Sequence, residues 1–484
     1  MNTTIFGRQE EREDLEQLYQ RNQAEFVAVL GRKRIGKTYL IQKTFSDRIV
    51  FHHLGLSPDQ LKGLSPRKKL EKQLLAFQVS LINQGYEDAP LPKDWLHAFT
   101  LLEMFLKRLD SNKRLLIFLD EIPWLDTPSS LFLTGLEYFW NSWACSQDRV
   151  MLVVTGSNVS WMEDRLLHNT GGLYGRVTRP IRLKPFTLHE CEEYFKYRNI
   201  AMSRYDETVC YMVLGGIPYY LKYLDSSLSL PQNIDNLFFS ESAPLKGEFD
   251  FLFSSIFTNA EKMKNIITAL SEKSIGLTRS ELAKRLTRSS GGRLSKDLNA
   301  LIQSGFVEKY VPYLGSKRQE YYKLVDPFCL FYLRFFKEKQ AAGANFFSSH
   351  FNSPSFSSWR GLAFENVCFC HIQEIKQALS IGGVSLKVYP YFQKEKDDNQ
   401  GCLIDLVLDR NDNVISLCEA KFTSTLFEIT KDYHLTLVTR RESIQKKVSA
   451  KKCVMNVFIS TFGLKKNIYS SDFVSVVTLD DLFR

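Results

Sequence analysis

A glycine-rich segment, GRKRIGKT, follows the apolar run FVAVL and precedes the helical pattern YLIQKTF. Such a turn between a strand and a helix brings backbone N–H groups and the positive end of the helix dipole together, which suits a phosphate group. We expect Lys37 to neutralise the β- and γ-phosphates of ATP and the Thr38 hydroxyl to hold Mg²⁺. The alternative is a chance Gly-Lys-Thr turn. The residues predicted to line the nucleotide here are Gly31, Arg32, Lys33, Arg34, Ile35, Gly36, Lys37, Thr38 and Tyr39.

Polar side chains end two further apolar runs, LLIFLDE and VMLVVTGS. The carboxyl ends of parallel strands meet at the ligand-binding edge of a sheet, so Asp120 is expected to orient the magnesium shell. Glu121 is expected to polarise the attacking water as a general base, the alternative being a surface carboxylate. Ser157 is our choice for a contact with the γ-phosphate or the water. Thr155 and Asn158 are alternatives, as is a simple turn at the strand end.

A second acidic group lies near the carboxyl end, in CLIDLVLD and NVISLCEAKF. Glu419 and Lys421 are two residues apart and therefore on one face of a strand, and Asp405 lies on the preceding strand. Two carboxylates that face one cleft can hold Mg²⁺, and a lysine can position the attacking water. Glu365, in the segment AFENVCFCHI, is a further candidate ligand. The alternative is a strand edge with solvated charges.

The elements that carry these residues indicate a multidomain α/β protein. Short Leu-rich or β-branched runs separated by helical stretches are typical of a parallel sheet covered by helices. A helical stretch follows, and then three short helical units and a hairpin turning at Gly315 give the order of a winged helix-turn-helix. The serine-rich segment 348–358 is predicted to be a linker. The predicted domains are 1–182 (P-loop sheet), 183–255 (helical lid), 256–326 (winged helix-turn-helix), 327–358 (helical bridge and linker) and 359–484 (final α/β domain).

Positive charge is concentrated in the middle of the chain. Residues 258–325 contain 13 Lys and Arg against six Asp and Glu, so this stretch carries +7 of the formal +9. Such focusing favours contact with nucleic acid, and DNA is the expected partner. In a winged helix, Arg293 and Lys296 would lie on the third helix and Lys317 and Arg318 at the wing tip. The alternative is a packing or regulatory module.

Composition narrows the class of protein further. At 484 residues the chain is too long for one hydrophobic core, and it has neither an apolar run long enough to span a membrane nor a leader-like start. We therefore expect a soluble cytoplasmic protein. The nine cysteines are scattered, and the close pair Cys368 and Cys370 lacks the spacing of a zinc site, so reduced core thiols are predicted. The sequence does not determine the oligomeric state, and a homo-oligomer is possible.

The stretch from Phe6 to roughly Leu224 resembles the prokaryotic AAA+/STAND-related P-loop ATPases of archaeal type. The matching segments are FGRQEE, GRKRIGKT, LLIFLDE and GGIPYYL. The resemblance implies that Gly7 and Arg8 lie near the base and sugar of the nucleotide and that Pro218 closes over the adenine. It also implies that Arg176 senses the γ-phosphate, in cis or from a neighbouring subunit. The alternative for Arg176 is an ordinary surface charge.

The carboxyl part resembles the PD-(D/E)xK nuclease core, with Leu-Ile-Asp in place of Pro-Asp. From DPFCLFYLRFF through WRGLAFE to CEAKF it also resembles the C-terminal domain commonly fused to this ATPase family. The resemblance implies catalytic roles for Asp405, Glu419 and Lys421. The expected function is ATP-driven action on DNA, in which nucleotide state controls a Mg²⁺-dependent nuclease-like domain. The alternative is a non-catalytic STAND-like switch that binds a partner or DNA without cleavage.

Overall fold

A computed structural model describes residues 5–109, 113–168, 170–257, 259–287, 291–316, 319–336, 343–393 and 402–484. The chain forms two compact units. The first contains the residues up to Lys184 together with Asp250–Glu261, and the second contains Pro185–Phe249 and Lys262–Arg484. The first unit is therefore discontinuous in sequence, because a twelve-residue segment returns to it after residues 185–249. Within the described ranges, no helix is both long and apolar enough to cross a membrane.

The first unit is built on a five-stranded parallel sheet in the order β2-β3-β4-β1-β5. Every residue of β1, β3 and β4 is buried, which explains why these three strands have continuous apolar sequences. The edge strands β2 and β5 mix buried and exposed residues and were not predicted. The strands are β1 (Glu25–Leu30), β2 (Ile49–Leu54), β3 (Leu115–Asp120), β4 (Val150–Gly156) and β5 (Arg179–Arg182).

Helices cover this sheet, and aromatic side chains fill the space between them. Trp95, Phe99 and Phe132 are buried and lie within ring-contact distance of one another. The α-helices of the first unit are Gln9–Gln20, Lys37–Thr44, Pro66–Asn83, Trp95–Lys107, Ile122–Leu125, Phe132–Ser142 and Val159–Trp161, with a 3-10 turn at Ala144–Ser146 and a π-helix at Met162–Leu167. The helix Glu248–Ile256 belongs to this unit from Asp250 onward.

The second unit begins with a helical region. A capping box of Thr187 and Glu190 starts its first helix. Gly216 has a φ of 62°, and a Cβ there would lie 2.3 Å from the carbonyl oxygen of Phe186, so the turn before Pro218 requires glycine. The helices are Leu188–Tyr197, Arg204–Leu214, Pro218–Leu221 and Leu230–Ile234, followed by a π-helix at Asp235–Phe239.

Three helices and a small antiparallel sheet follow. The strands are β6 (Leu277–Thr278), β7 (Val307–Tyr310) and β8 (Tyr321–Leu324), in the order β6-β8-β7. The helices are Ala260–Ser271, Arg279–Arg285 and Gly292–Gln303. The connection between β7 and β8 contains Gly315, the predicted turn, whereas Lys317 and Arg318 lie outside the described residues.

The serine-rich segment 348–358 is not a linker, and that prediction is wrong. Phe347 and Phe356 are buried in an aromatic cluster, and the hydroxyl of Ser353 caps the helix Pro354–Cys370. The high serine content suggested a solvated linker, but Ser353 instead caps the start of a helix. The helices of this region are Pro327–Phe331, Phe346–His350, Pro354–Cys370 and Ile372–Ala378, with a π-helix at Tyr332–Phe336.

A second five-stranded sheet, in the order β13-β12-β11-β10-β9, completes the chain. Strands β9, β10 and β11 are antiparallel neighbours, and β11, β12 and β13 are parallel. The strands are β9 (Leu386–Gln393), β10 (Cys402–Arg410), β11 (Val414–Lys421), β12 (Cys453–Ser460) and β13 (Phe473–Val477). The helices are Lys431–Gln445 and Leu479–Leu482, with a 3-10 turn at Ser470–Asp472.

The β7–β8 connection packs against this second sheet. Tyr313 is 7% exposed and belongs to a hydrophobic cluster with Ile404 and Val407. Its backbone N–H donates to the carbonyl oxygen of Pro390 at 2.9 Å, and its ring lies 5.6 Å from that of Tyr389. The hairpin is therefore anchored to β9 by a buried aromatic side chain and a backbone hydrogen bond.

Candidate functional site

The backbone between β1 and the next helix follows an unusual path. A Cβ on Gly31 would lie 2.4 Å from the Cδ1 atom of Ile35 and 2.6 Å from the carbonyl oxygen of Leu183, so only glycine fits. Gly36 has a φ of 90° immediately before the helix Lys37–Thr44, and no described heavy atom lies within 4 Å of the place where its Cβ would be. The left-handed conformation of Gly36 thus begins the helix directly after the glycine-rich turn, the arrangement in which helix N-termini bind phosphate.

Lys37 is held inside this turn. Its ammonium donates hydrogen bonds to the carbonyl oxygens of Gly31 at 3.0 Å and Arg32 at 3.3 Å, and to the Ser157 hydroxyl at 2.8 Å. It also pairs with the Glu121 carboxylate at 3.5 Å. The side chain is only 4% exposed, so its charge acts in a poorly solvated environment where electrostatic interactions are strong.

Asp120 ends β3 beside the hydroxyl of Thr38. The Thr38 hydroxyl donates to Asp120 Oδ2 at 2.8 Å, and the Thr155 hydroxyl donates to Asp120 Oδ1. Burial raises the pKa of Asp120, and these hydrogen bonds oppose that rise. Thr38 and Asp120 thus offer two adjacent oxygen atoms of the kind that Mg²⁺ prefers when phosphates supply other ligands.

Glu121 adopts a left-handed conformation, with a φ of 52°. Its carboxylate accepts hydrogen bonds from the Ser157 backbone N–H at 2.7 Å and from the Ser157 hydroxyl. Thr155 holds the backbone of Glu121, because its hydroxyl accepts a hydrogen bond from the Glu121 N–H at 2.9 Å. Asn158 instead caps the helix Val159–Trp161. Of the three polar residues that end β4, Ser157 is the one that contacts both Lys37 and Glu121.

Other residues predicted to bind the nucleotide lie in different surroundings. Arg8 is buried, has a φ of 61° and donates to the carbonyl oxygens of Ile35 at 3.5 Å and Lys184 at 2.5 Å, so it braces the P-loop backbone. Gly7 precedes it with a φ of 58°. Tyr39 is 49% exposed on the helix that follows the P-loop.

Arg176 and Pro218, two further predicted nucleotide contacts, lie on other elements of the chain. Arg176 is exposed, and within the described residues no hydrogen bond or ion pair links its side chain to the P-loop. Pro218 is the first residue of the helix Pro218–Leu221 and belongs to the second unit.

Sequence reasoning missed an aromatic contact of the P-loop. The ammonium of Lys33 lies 4.7 Å from the ring centroid of Phe251 and 5.4 Å from that of Trp124. The guanidinium of Arg34 lies 5.2 Å from the Phe251 ring. These are cation–π distances. Phe251 lies on the helix Glu248–Ile256, far along the chain, and no local sequence pattern could have associated it with this site.

The second acidic group is assembled on β10 and β11. Leu406 pairs with Cys418 in this antiparallel ladder, so Asp405 and Glu419 occupy adjacent positions on the two strands. The pairing of β10 with β9 shifts between Ile404 and Val407, an irregularity that surrounds Asp405 and can redirect its side chain. Asp405 accepts a hydrogen bond from the Ala420 backbone N–H at 3.2 Å.

Glu419 has three charged or polar partners. It pairs with Lys421 at 2.7 Å and with Arg440 at 3.1 Å, and it accepts a hydrogen bond from the Tyr433 hydroxyl at 2.6 Å. Arg440 and Tyr433 lie on the helix Lys431–Gln445 and were not predicted. The apolar periodicity of that helix is weak, so its pattern does not indicate that it faces the acidic group.

Glu365 and Asp405 are partly buried carboxyl groups whose ionisation depends on their neighbours. Burial and the neighbouring Asp405 raise the pKa of Glu365 to about 7, and burial and Glu419 raise the pKa of Asp405 to about 6. Lys323, on β8, opposes both rises. Among the described residues, no three His, Cys, Asp or Glu side chains are gathered closely enough to enclose a metal ion.

The basic helix Gly292–Gln303 has two distinct faces. Leu294, Leu298 and Leu301 are buried, whereas Arg293 and Lys296 are exposed. The two cations are therefore available to a ligand, and the leucines anchor the helix to its own module.

Comparison with known proteins identifies the class of the first part of the chain. Residues 5–224 match the family model described as an ATPase domain predominantly from Archaea. This match, the parallel sheet and the Lys37 turn define a P-loop ATPase domain.

Three individual proteins show the range of similarity. The chain is 26% identical over 435 residues to an uncharacterised protein of Methanocaldococcus jannaschii, which covers 86% of this chain and 87% of that protein. It is similar to the solved Walker-type ATPase of Pyrococcus abyssi, with 20% identity, a TM-score of 0.47, and coverage of 68% of this chain and 96% of that one. For the Aeropyrum pernix ORC2 protein the identity is 15%, the TM-score 0.44 and the coverage 69% and 95%.

Proposed function

We propose that this protein hydrolyses ATP at the P-loop and uses its nucleotide state to control a Mg²⁺-dependent nuclease-like domain that acts on DNA. In the ATPase part, Lys37 neutralises phosphate charge, Thr38 and Asp120 hold Mg²⁺, and Glu121 orients the attacking water. The exposed Arg176 is available to sense a γ-phosphate, in this subunit or in a neighbouring one.

The observation that carries the nuclease proposal is the placement of Asp405 and Glu419 on paired strands, with Lys421 on the same face as Glu419. Burial, together with neighbouring carboxylates, raises the pKa of Asp405 and of Glu365, and a divalent cation bound there would favour their ionised forms. A bound Mg²⁺ supplies a water of lowered pKa and positive charge for a phosphoryl transition state. Lys421 would then position that water.

We assign DNA contact to the module of three helices and strands β6 to β8, which lies between the two acidic groups in chain order. Arg293 and Lys296 are exposed on the third helix of this module, and the order of its helices and strands supports the proposal of a winged helix. Contacts from such residues to phosphates give salt-dependent binding with little sequence preference. Lys317 and Arg318 remain proposed contacts at the tip of the hairpin.

The test is cleavage of plasmid and linear DNA by the full chain with ATP and Mg²⁺. We expect products with the wild-type protein, no products with Asp405→Ala, and none when EDTA replaces Mg²⁺. Asp409→Ala is the matched control, because Asp409 lies on the same strand but is paired with Lys452. DNA left intact by the wild type under all conditions would refute the nuclease role.

A second candidate, a non-cleaving switch, is favoured by the surroundings of Glu419. This carboxylate is already neutralised by Lys421 and Arg440 and is hydrogen-bonded to Tyr433. In this alternative the C-terminal domain binds DNA or another partner, and ATP changes the assembly state. Light scattering with ADP and with a non-hydrolysable ATP analogue would then show a change of mass that persists in Asp405→Ala.

A further inference from the structure

Three aromatic side chains form a stack beside the acidic group of the second unit. The ring of Tyr205 lies 4.6 Å from that of Phe422 at an interplanar angle of 29°, and 6.1 Å from that of Phe462 at an angle of 9°. Phe462 is 47% exposed, although it is a large apolar side chain. We call Tyr205, Phe422 and Phe462 the aromatic stack. A single exposed ring is common on protein surfaces, but an exposed ring aligned with two others offers a flat stacking surface.

The aromatic stack is held in a fixed position. Tyr205 accepts a hydrogen bond at its hydroxyl from the buried guanidinium of Arg360 at 3.2 Å. Phe422 and Phe462 follow the neighbouring strands β11 and β12, in which Lys421 pairs with Ser460. The residues next to them, Thr423 and Thr461, join the two strand ends by hydrogen bonds of 3.0 Å and 2.6 Å. A ligand would therefore meet rings that are already aligned, which limits the entropy lost on binding.

Chain position connects the aromatic stack to the acidic group twice. Phe422 immediately follows Lys421, and Phe364, whose ring lies 5.3 Å from that of Phe422, immediately precedes Glu365. Adjacent residues lie about 3.8 Å apart between Cα atoms, so a polymer whose phosphodiester lies at the acidic group would pass near these rings. Bases in a duplex are already stacked on each other, so only an unpaired base has a free face.

We propose that the aromatic stack, through the exposed ring of Phe462, binds an unpaired nucleobase, and that the second unit therefore acts on single-stranded nucleic acid or on single-stranded ends and flaps. The inference rests on the proposed function and specifies its substrate class. Stacking is tolerant of sequence, because every base has an aromatic face.

The test measures binding without cleavage, in EDTA, with the full chain. The probes are a fluorescent oligothymidylate longer than the roughly 4–16 nucleotides that such a surface covers, an abasic deoxyribose-phosphate oligomer of the same length, and a DNA duplex. We expect the wild type to bind oligothymidylate more tightly than the abasic oligomer. Phe462→Ala should weaken oligothymidylate binding by about 5- to 150-fold, which corresponds to one stacked base, and leave abasic binding unchanged. Phe462→Trp should retain the preference.

Ile468→Ala is the matched control, because Ile468 is 82% exposed and lies outside the aromatic stack. An unchanged thermal midpoint for Phe462→Ala would show that the variant is folded. Equal binding of oligothymidylate by Phe462→Ala and wild type, or equal binding of the abasic oligomer and oligothymidylate by wild type, would overturn the inference. If the duplex were still bound and cleaved with Mg²⁺, the proposed function would survive this result. If none of the three probes were bound, both would fall.

Discussion

The ammonium of Lys37, the first residue of the helix after β1, lies 2.8 Å from the hydroxyl oxygen of Ser157, the residue that follows β4. Ser157 in turn donates to the carboxylate of Glu121, so the lysine proposed to bind phosphate and the proposed general base share one hydrogen-bonding partner. Because this chain of contacts is buried, a change in any member is expected to alter the others.

Replacing Lys37 by alanine removes a buried side-chain cation that donates hydrogen bonds to carbonyl groups of the P-loop turn. We expect loss of ATP hydrolysis by at least about 100-fold and a marked loss of nucleotide affinity, because alanine supplies no charge at that position. Lys43→Ala, on the same helix, should behave as wild type. Titration calorimetry with Mg-ATP and a phosphate-release assay provide the measurements, and normal nucleotide binding by Lys37→Ala would contradict the assigned site.

Glu121→Gln preserves the size of the side chain but removes its negative charge. We expect hydrolysis to fall by about 10²- to 10⁴-fold, the contribution of a general base, and to fall by more than nucleotide affinity does. Glu71→Gln is the control, because Glu71 is 57% exposed and lies in a surface ion pair. Single-turnover hydrolysis is the decisive measurement. If Glu121→Gln hydrolysed ATP at the wild-type rate, the base would have to be another residue.

The buried carboxyl group of Glu207 should make the stability of the fold depend on pH, independently of either acidic site. It is 5% exposed, its Oε2 atom has no hydrogen-bond partner among the described residues, and burial raises its pKa to about 8. The folded state therefore binds the proton more tightly than the unfolded state. Ionisation destabilises the fold progressively as pH rises from about 4.5, the ordinary pKa, toward about 8, and the full penalty persists at higher pH.

Glu207→Gln should remove this penalty. We expect its thermal midpoint to exceed that of the wild type at pH 9 and to match it at pH 4. Glu193→Gln, in which the replaced side chain is 48% exposed, should show no such difference. Scanning calorimetry over this pH range measures the effect. A constant difference between Glu207→Gln and wild type at all pH values would mean that the side chain acts through packing.

Tyr313 should be essential for the stability of the second sheet. Tyr313→Ala removes a buried aromatic ring from the cluster around Ile404 and Val407, and we expect a loss of about 3 kcal/mol. The neighbouring Leu314 is 46% exposed, so Leu314→Ala should have an effect within about 0.5 kcal/mol. Calorimetry of the full chain should show a lowered midpoint for Tyr313→Ala alone. Equal midpoints for both variants would show that the hairpin is not anchored in this way.

Much of the ATPase fold was predictable because its central strands are buried on both faces. Continuous apolar sequences identified β1, β3 and β4, and the polar residues at their ends were correctly expected at one edge of a parallel sheet. The edge strand β5 has one buried residue, Ile181, among exposed neighbours, so periodicity could not reveal it. The contact of Phe251 with Lys33 and Arg34 is purely tertiary.

The acidic group of the second unit was predictable only in part. Strand alternation put Glu419 and Lys421 on one face, but the shift of register beside Asp405 has no sequence signal that we could recognise. The same holds for Arg440, which reaches Glu419 from a helix of weak amphipathic character. The serine-rich segment 348–358 failed as a predicted linker because composition alone cannot distinguish helix-capping serines from solvated ones.

The return of residues 250–261 to the first unit has a practical consequence for dissection of the protein. A fragment that ends at Lys184 would contain the complete parallel sheet but would lack Phe251, the ring that Lys33 and Arg34 both contact. A single proteolytic or genetic cut therefore cannot release the ATPase unit free of the second unit, because a cut after Lys184 removes Phe251 and a cut after Glu261 retains residues 185–249. The second unit precedes residue 250 and follows residue 261 in the chain. The segment that carries Phe251, and with it the P-loop contact, is therefore joined covalently to the second unit at both of its ends.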